Sequence, residues 1–309
     1  MGVDHRIGSD YPRRIAARLC LLLLLAAILG SPAPESAAAQ RPSHVFLVVL
    51  ENREYDEVVG NPALPYFDHL VQRGAVATDY YAVAHPSLPN YLAILGGSTF
   101  GIAEDCTECL VEGPNLATQL SRAGISWRAY MEGLPYPCYT GGNGGGYGKR
   151  HDPFVYFPAI TTVPKRCARV VPQTRLEDDL EHERLPQFAW LTPDTCHDGH
   201  DCPLPVMDYY LWKLVPQVTR QLGPHGLLIL TFDEGSTKFG CCGSPGGGRV
   251  ATVLLGPDVP HGKEVKLLST HYSLLAAIED RFGLPRLGEA AKAPPLAPAL
   301  IDPRGLRSR

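Results

Sequence analysis

The chain has 309 residues, with 28 Lys and Arg against 32 Asp and Glu, a formal charge of −4 and 45 % apolar residues. A balance this close to neutral, with no basic stripe, argues against a nucleic-acid partner. The length leaves room for one large domain with a substantial core once a leader is set aside.

Residues 1–39 read as an export signal. Arg6, Arg13, Arg14 and Arg18 give a basic start, Leu19 to Leu29 an apolar run, and Ala37-Ala38-Ala39 small residues for cleavage. The mature protein is expected to begin near Gln40. The run is short for a membrane span and has no later counterpart, so no stable membrane anchor is expected. Cys20 at the front of the run leaves a lipoprotein anchor as the lesser alternative.

Beyond the leader, short apolar, β-branched runs alternate with helical patterns, which predicts an α/β domain over residues 40–309 built on a mainly parallel sheet flanked by helices. Strands are predicted at His44 to Leu50, Ala75 to Tyr81, Ser126 to Tyr130, Gln187 to Leu191, Leu227 to Phe232 and Val250 to Leu255. Helices are predicted at Tyr66 to Arg73, Leu88 to Leu95, Leu116 to Ala123, Leu176 to Glu183, Asp208 to Leu222 and Tyr272 to Phe282. Two irregular, glycine-rich stretches, 132–174 and 235–249, are candidates for active-site walls or for surface decoration pinned by disulfides. Neither has the Gly-Lys-Ser/Thr ending of a nucleotide P-loop.

Without Cys20, eight cysteines remain, an even number in an exported chain, which predicts disulfides. Spacing suggests Cys106 with Cys109, Cys196 with Cys202 and Cys138 with Cys167, leaving the adjacent Cys241 and Cys242. A structural zinc site is the competing reading, but the regular CxxC spacing it needs is missing.

Parallel sheets place ligands beyond the carboxyl ends of their strands. Two predicted strands run directly into acids there: His44 to Leu50 into Glu51-Asn52-Arg53, and Leu227 to Phe232 into Asp233-Glu234-Gly235. Carboxylates brought together repel one another unless a cation or proton lies between them, and their oxygens suit a hard divalent metal. Ordinary strand-end polarity is the alternative for either motif alone. In His85-Pro86-Ser87-Leu88-Pro89-Asn90-Tyr91, Ser87 falls at a helix start, where amides and the helix dipole favour phosphoryl oxygens. The same serine could be a plain N-cap. His200, in the loop between Cys196 and Cys202, could hold phosphoryl oxygens or protonate a leaving group. His151 and His271 are further candidates from separate loops.

Taken together, these motifs resemble the bacterial phosphoesterase family of secreted acid phosphatases and non-haemolytic phospholipases C, a branch of the alkaline phosphatase superfamily. The likeness rests on Glu51-Asn52-Arg53, HPSLPNY from His85 to Tyr91, HDPFVYF from His151 to Phe157, DGHD from Asp198 to Asp201, TFDEG from Thr231 to Gly235, and HYSLLAAIEDRFGLP from His271 to Pro285, in that order. It implies an alkaline phosphatase-like fold and one divalent metal held by Glu51, Asn52, Asp233 and Glu234, with Ser87 as nucleophile and further ligand. Oxygen ligands favour Mg, Ca or Mn, with Zn or Fe as alternatives. Catalytic roles are implied for Ser87, His151 and His200, and substrate contacts for Asn90, His85 and His271. The chain departs from the family where an Asp-Asp pair of some members is Asp233-Glu234, and where His197 replaces a common Asn.

The resemblance implies a secreted phosphatase acting on small phosphate monoesters, phosphoinositides included, through a phosphoserine. A phospholipase C-type diesterase acting on phospholipid headgroups is the alternative, and an inactive binding module on the same fold a remote one. Sulfatases of the superfamily carry C/S-x-P-x-R, and Tyr91 stands where that arginine belongs. The sequence sets no oligomeric state.

Overall fold

The computed structural model describes residues 1–3, 43–240 and 246–297. The export-signal reading, apart from residues 1–3, and the Cys241-Cys242 pair therefore lie outside the described residues.

Ten strands are described: β1 Val45–Leu50, β2 Ala75–Ala77, β3 Tyr80–Tyr81, β4 Trp127–Met131, β5 Val170–Pro172, β6 Phe188–Thr192, β7 Leu227–Phe232, β8 Thr252–Leu255, β9 Lys263–Val265 and β10 Ser269–Thr270. Eight form one sheet in the order β5-β4-β6-β1-β7-β8-β2-β9, and β10 pairs with β3 in a small second sheet. The five strands from β5 to β7 run parallel, and β8 is antiparallel to both its neighbours. Every residue of β1 and β7 is buried. Such unbroken apolar runs are what a parallel strand covered on both faces requires.

Six longer helices accompany the sheet: α1 Pro65–Arg73, α2 Ser87–Gly96, α3 Leu116–Arg122, α4 Thr174–Glu181, α5 Leu204–Thr219 and α6 His271–Phe282. α2 packs against α6, and α1 against α5. Asn115 caps α3 by accepting from Thr118 N at 2.9 Å, and Thr270 with Ser273 forms a capping box on α6. All six predicted helices are present. α5 differs most, starting at Leu204 and ending at Thr219.

The predicted strand from Ala75 to Tyr81 is two strands. Ala75–Ala77 pairs with β8 and β9, and Tyr80–Tyr81 leaves the main sheet for β10. All three suggested disulfides, Cys106–Cys109, Cys138–Cys167 and Cys196–Cys202, are formed.

Candidate active site

Because β4, β6, β1 and β7 are parallel neighbours, the loops after them emerge at one edge of the sheet. Leu50 is in register with Phe232. The residues that follow, Glu51 and Asp233, are consequently side by side, tied by Asp233 N to Leu50 O at 2.9 Å and by Asn52 N to Asp233 Oδ1 at 3.0 Å. Asn52 adopts φ 59°, a left-handed conformation that Asn tolerates. The loop after β6 closes the group, since Glu51 N donates to Asp198 O and Arg53 donates to Gly199 O.

Ser87 is the first residue of α2, and Pro86 takes the cap position with no side-chain cap. The plain N-cap reading of Ser87 therefore fails: its hydroxyl donates to Glu51 Oε2 at 3.2 Å and Glu234 Oε1 at 3.3 Å. The Leu88 amide is already bonded to Asp105 Oδ1 at 2.9 Å.

The charge state of this centre follows from burial. Glu51, Asp233 and Asp198 are fully enclosed and Glu234 nearly so. Burial pushes Glu51 up to about 7. Burial, then the neighbouring carboxylates, pushes Glu234 to about 8 and Asp198 to about 9, and holds Asp233 well above the usual range. His151 Nε2 lies 2.8 Å from Glu51 Oε1, and its Nδ1 lies 3.5 Å from Asp198 Oδ2. Neither contact has hydrogen-bond geometry. Glu51 Oε1, Asp198 Oδ2, Asp233 Oδ2 and both His151 nitrogens stay buried and unpartnered. Burial also holds His151 well below its ordinary value, in the neutral form.

Buried acceptors without donors are costly unless a further group satisfies them. The donor set here, carboxylate oxygens with a hydroxyl and an imidazole, fits a divalent cation. Among the described residues, the trio of ligand atoms lying mutually within 4.8 Å is a different one, Glu132, Asp194 and His197. Several of its atoms are already committed: Glu132 Oε2 accepts from Asp194 N, Asp194 Oδ1 from Cys196 N and His197 N, and His197 Nδ1 lies 3.1 Å from Glu132. That trio reads as a hydrogen-bonded brace for the loop after β6. The unsatisfied acceptors are at Glu51.

Two expected substrate contacts, Asn90 and His271, sit in enclosed positions. Asn90 is wholly buried, and its side chain is saturated: Oδ1 accepts from Val83 N and Ala84 N, both at 3.0 Å, and Nδ2 donates to Ala84 O and Pro86 O. It shapes the approach to Ser87. His271 is equally enclosed, between Tyr80 Oη at 2.9 Å and the Asp233 carbonyl, and burial lowers it to about 4. It braces Asp233 from behind. His85 is partly exposed and spans Glu234 Oε2 at 2.5 Å and Thr237 O at 2.7 Å. His200 sits at the rim, with Nδ1 held by Asp201 at 2.6 Å, its backbone N–H on Asp198 Oδ1, and its ring 6.3 Å from that of His151.

Sequence reasoning missed several contributors. Asp198 was read within the DGHD landmark without a role. Tyr91 stacks on His151 at 5.4 Å, and burial with nearby Glu51 raises its hydroxyl well above the usual range. Glu54 accepts from Thr237 N, Thr237 Oγ1 and Arg249 N, stitching the segments around the glycine run 246–248. That run is needed for close packing: a Cβ on Gly247 would lie 2.1 Å from Ala84 O, and Gly248 has φ 92°. The described part of this stretch is therefore a wall against the segment leading into Ser87.

Comparison with known proteins places this geometry. The Phosphoesterase family model matches residues 61–285. A phosphatidylinositol-3-phosphatase of Mycobacterium tuberculosis is 32 % identical over 282 residues, covering 88 % of this chain and 89 % of that protein. The chain belongs to the phosphoesterase family. This phosphoesterase is also 32 % identical to a probable acid phosphatase of Kluyveromyces lactis and to an acid phosphatase of Aspergillus fumigatus, over 82 % and 79 % of its own length. It spans only 61 % and 55 % of those two fungal proteins. An alkaline phosphatase superfamily protein from Vibrio parahaemolyticus shares the fold with a TM-score of 0.57 at 14 % identity, over 83 % of this chain and 71 % of that one. The phosphoesterase thus has the alkaline phosphatase-like fold that its motifs imply.

Proposed function

We propose that this chain is an exported, metal-dependent phosphatase that hydrolyses phosphate monoesters through a phosphoserine on Ser87. The observation that carries the reading is the Ser87 hydroxyl, directed between two buried carboxylates beside unsatisfied acceptors instead of capping its helix. Glu51, Asn52, Asp233, Glu234 and Ser87 would hold the cation, with Asp198 adjoining. A divalent ion there supplies Lewis-acid polarisation of a phosphoryl oxygen and favours an ionised serine.

The residues divide the remaining work. Glu51 and Glu234 are acceptors for the proton leaving Ser87. Attack in line on phosphorus gives the phosphoserine, which water then hydrolyses. His200, oriented by Asp201 and with Nε2 unbonded among the described residues, is placed to protonate the departing alkoxide. Neutral, buried His151, against Glu51 and Asp198, keeps the catalytic role its motif implies.

Three disulfides suit an oxidising compartment, in keeping with residues 1–39 as an export signal. Among the described residues no helix is long and apolar enough to cross a membrane. The mycobacterial relative's name makes a phosphoinositide monoester a substrate to test first.

In the test, Ser87→Ala loses turnover of an aryl phosphate, and acid quenching of the wild type during turnover traps phosphate on serine. Wild-type turnover by Ser87→Ala would overturn the nucleophile, and full activity after exhaustive chelation the metal. Comparing a soluble monoester, a phosphoinositide and phosphatidylcholine separates monoesterase from diesterase.

A further inference from the structure

Three consecutive basic residues, Lys149, Arg150 and His151, form a single 3-10 turn, and each serves a different layer. Lys149 is buried and donates to the carbonyls of Thr107 and Thr140, anchoring the turn. His151 faces Glu51. Arg150 lies between these two and is 20 % exposed. Among the described residues its one ionic contact is Asp105 Oδ2 at 3.6 Å, beyond hydrogen-bond reach, and none accepts a hydrogen bond from its guanidinium. Asp105 gives its other oxygen to Leu88 N, the amide next to Ser87.

Two neighbours locate that guanidinium. It stands beside the start of α2 through Asp105. The next residue in the chain, His151, has its Nε2 2.8 Å from Glu51 Oε1. Arginine carries five donors in a rigid fork that matches two phosphate oxygens, and those of Arg150 are uncommitted. An arginine kept only to balance charge would be expected to bond its carboxylate directly. At 3.6 Å this one does not.

We propose that Arg150 is a phosphoryl-oxygen clamp of this site, and that Asp105 is its positioning residue, holding the fork beside Ser87 until a phosphate displaces the contact. The inference rests on the Ser87 reading. It adds a residue that binds the equatorial oxygens of the transferring group, where the charge of the transition state is spread.

Inorganic phosphate binding to the Mg2+-supplemented Ser87→Ala protein, followed by calorimetry, tests the clamp apart from turnover. Adding Arg150→Ala is expected to weaken phosphate binding by at least about tenfold, the scale of a lost charged hydrogen-bond pair. Arg150→Lys, which keeps the charge but not the fork, should recover part of it, with the melting temperature unchanged in both. Asp105→Asn keeps an acceptor for Leu88 N and removes the competing charge, so it should tighten phosphate binding. Phosphate affinity within twofold of the parent in Arg150→Ala, or weakened by Asp105→Asn, would overturn the proposal. Those results would leave the nucleophile standing if Ser87→Ala is inert; wild-type turnover by Ser87→Ala sinks the nucleophile whatever Arg150 does.

Discussion

Asn90 is the residue on which the approach to Ser87 depends, because it answers two backbone donors and two backbone acceptors of residues 83–86 at once. Asn90→Ala would leave those buried groups without partners, and partial relaxation of the segment sets the cost at roughly 2–4 kcal/mol. Denaturant unfolding should read that loss, and turnover should fall in kcat more than KM rises, since the segment it secures carries His85 and Ser87. Asn90→Asp, which keeps the acceptor, should lose less. Unchanged stability with a raised KM alone would make Asn90 a substrate ligand after all. Glu51, Asp233, Glu234 and Ser87 were legible in the sequence because each follows a strongly apolar strand or opens a helix, a signal confined to a few neighbouring residues. Asp198, Asp105 and Arg150 were not. Their importance arises only when loops after β6, after α2 and before His151 meet around Glu51, and no local pattern encodes that meeting.

Elements were legible for a related reason. Long periodic segments such as α2 and α6, and uniform runs such as β1 and β7, announce themselves whatever their surroundings. The break between β2 and β3 does not, since the sequence Ala75 to Tyr81 contains no Gly or Pro. What divides it is a change of partner, from β8 and β9 to β10. β5, β9 and β10 have three residues or fewer and owe their existence to the strand beside them. The long stretch 132–174, which gives the sheet only the short edge strand β5 and no long helix, is held partly by Cys138–Cys167, which spans 29 residues. Closing a loop of that length stabilises by roughly 3–4 kcal/mol in the chain-entropy treatment, and the 3-residue separation of Cys106–Cys109 by about half as much. Replacing Cys138 and Cys167 with Ser should lower the denaturant midpoint about twice as far as replacing Cys106 and Cys109. The reverse order would show that the short loop, which carries the bonds to Lys149 and Tyr156, matters more through contacts than through chain entropy.

Across the whole molecule, acids with raised values govern the response to pH. Burial lifts Glu51 to about 7, Glu234 and Glu279 to about 8, and Asp198 to about 9. An acid that binds its proton more tightly when folded contributes stability that is full below its unfolded value and is lost as pH rises through the folded one. In chelator, the melting temperature should therefore fall between pH 4.5, the ordinary glutamate value, and about 8 to 9. Glu279→Gln, which keeps an acceptor for Leu287 N, should flatten part of that fall. Added divalent cation should raise the melting temperature most at the alkaline end, where the carboxylates ionise. A flat or rising profile in chelator would count against protonation of these acids in the metal-free state.

β1 and β7 are the two middle strands of the eight, so Glu51 and Asp233 grow out of the backbone that global opening alone exposes. Their flanking amides should be among the last to exchange hydrogen with solvent, and a ligand bound there should slow that exchange throughout the sheet. The chemistry then shares its lifetime with the fold.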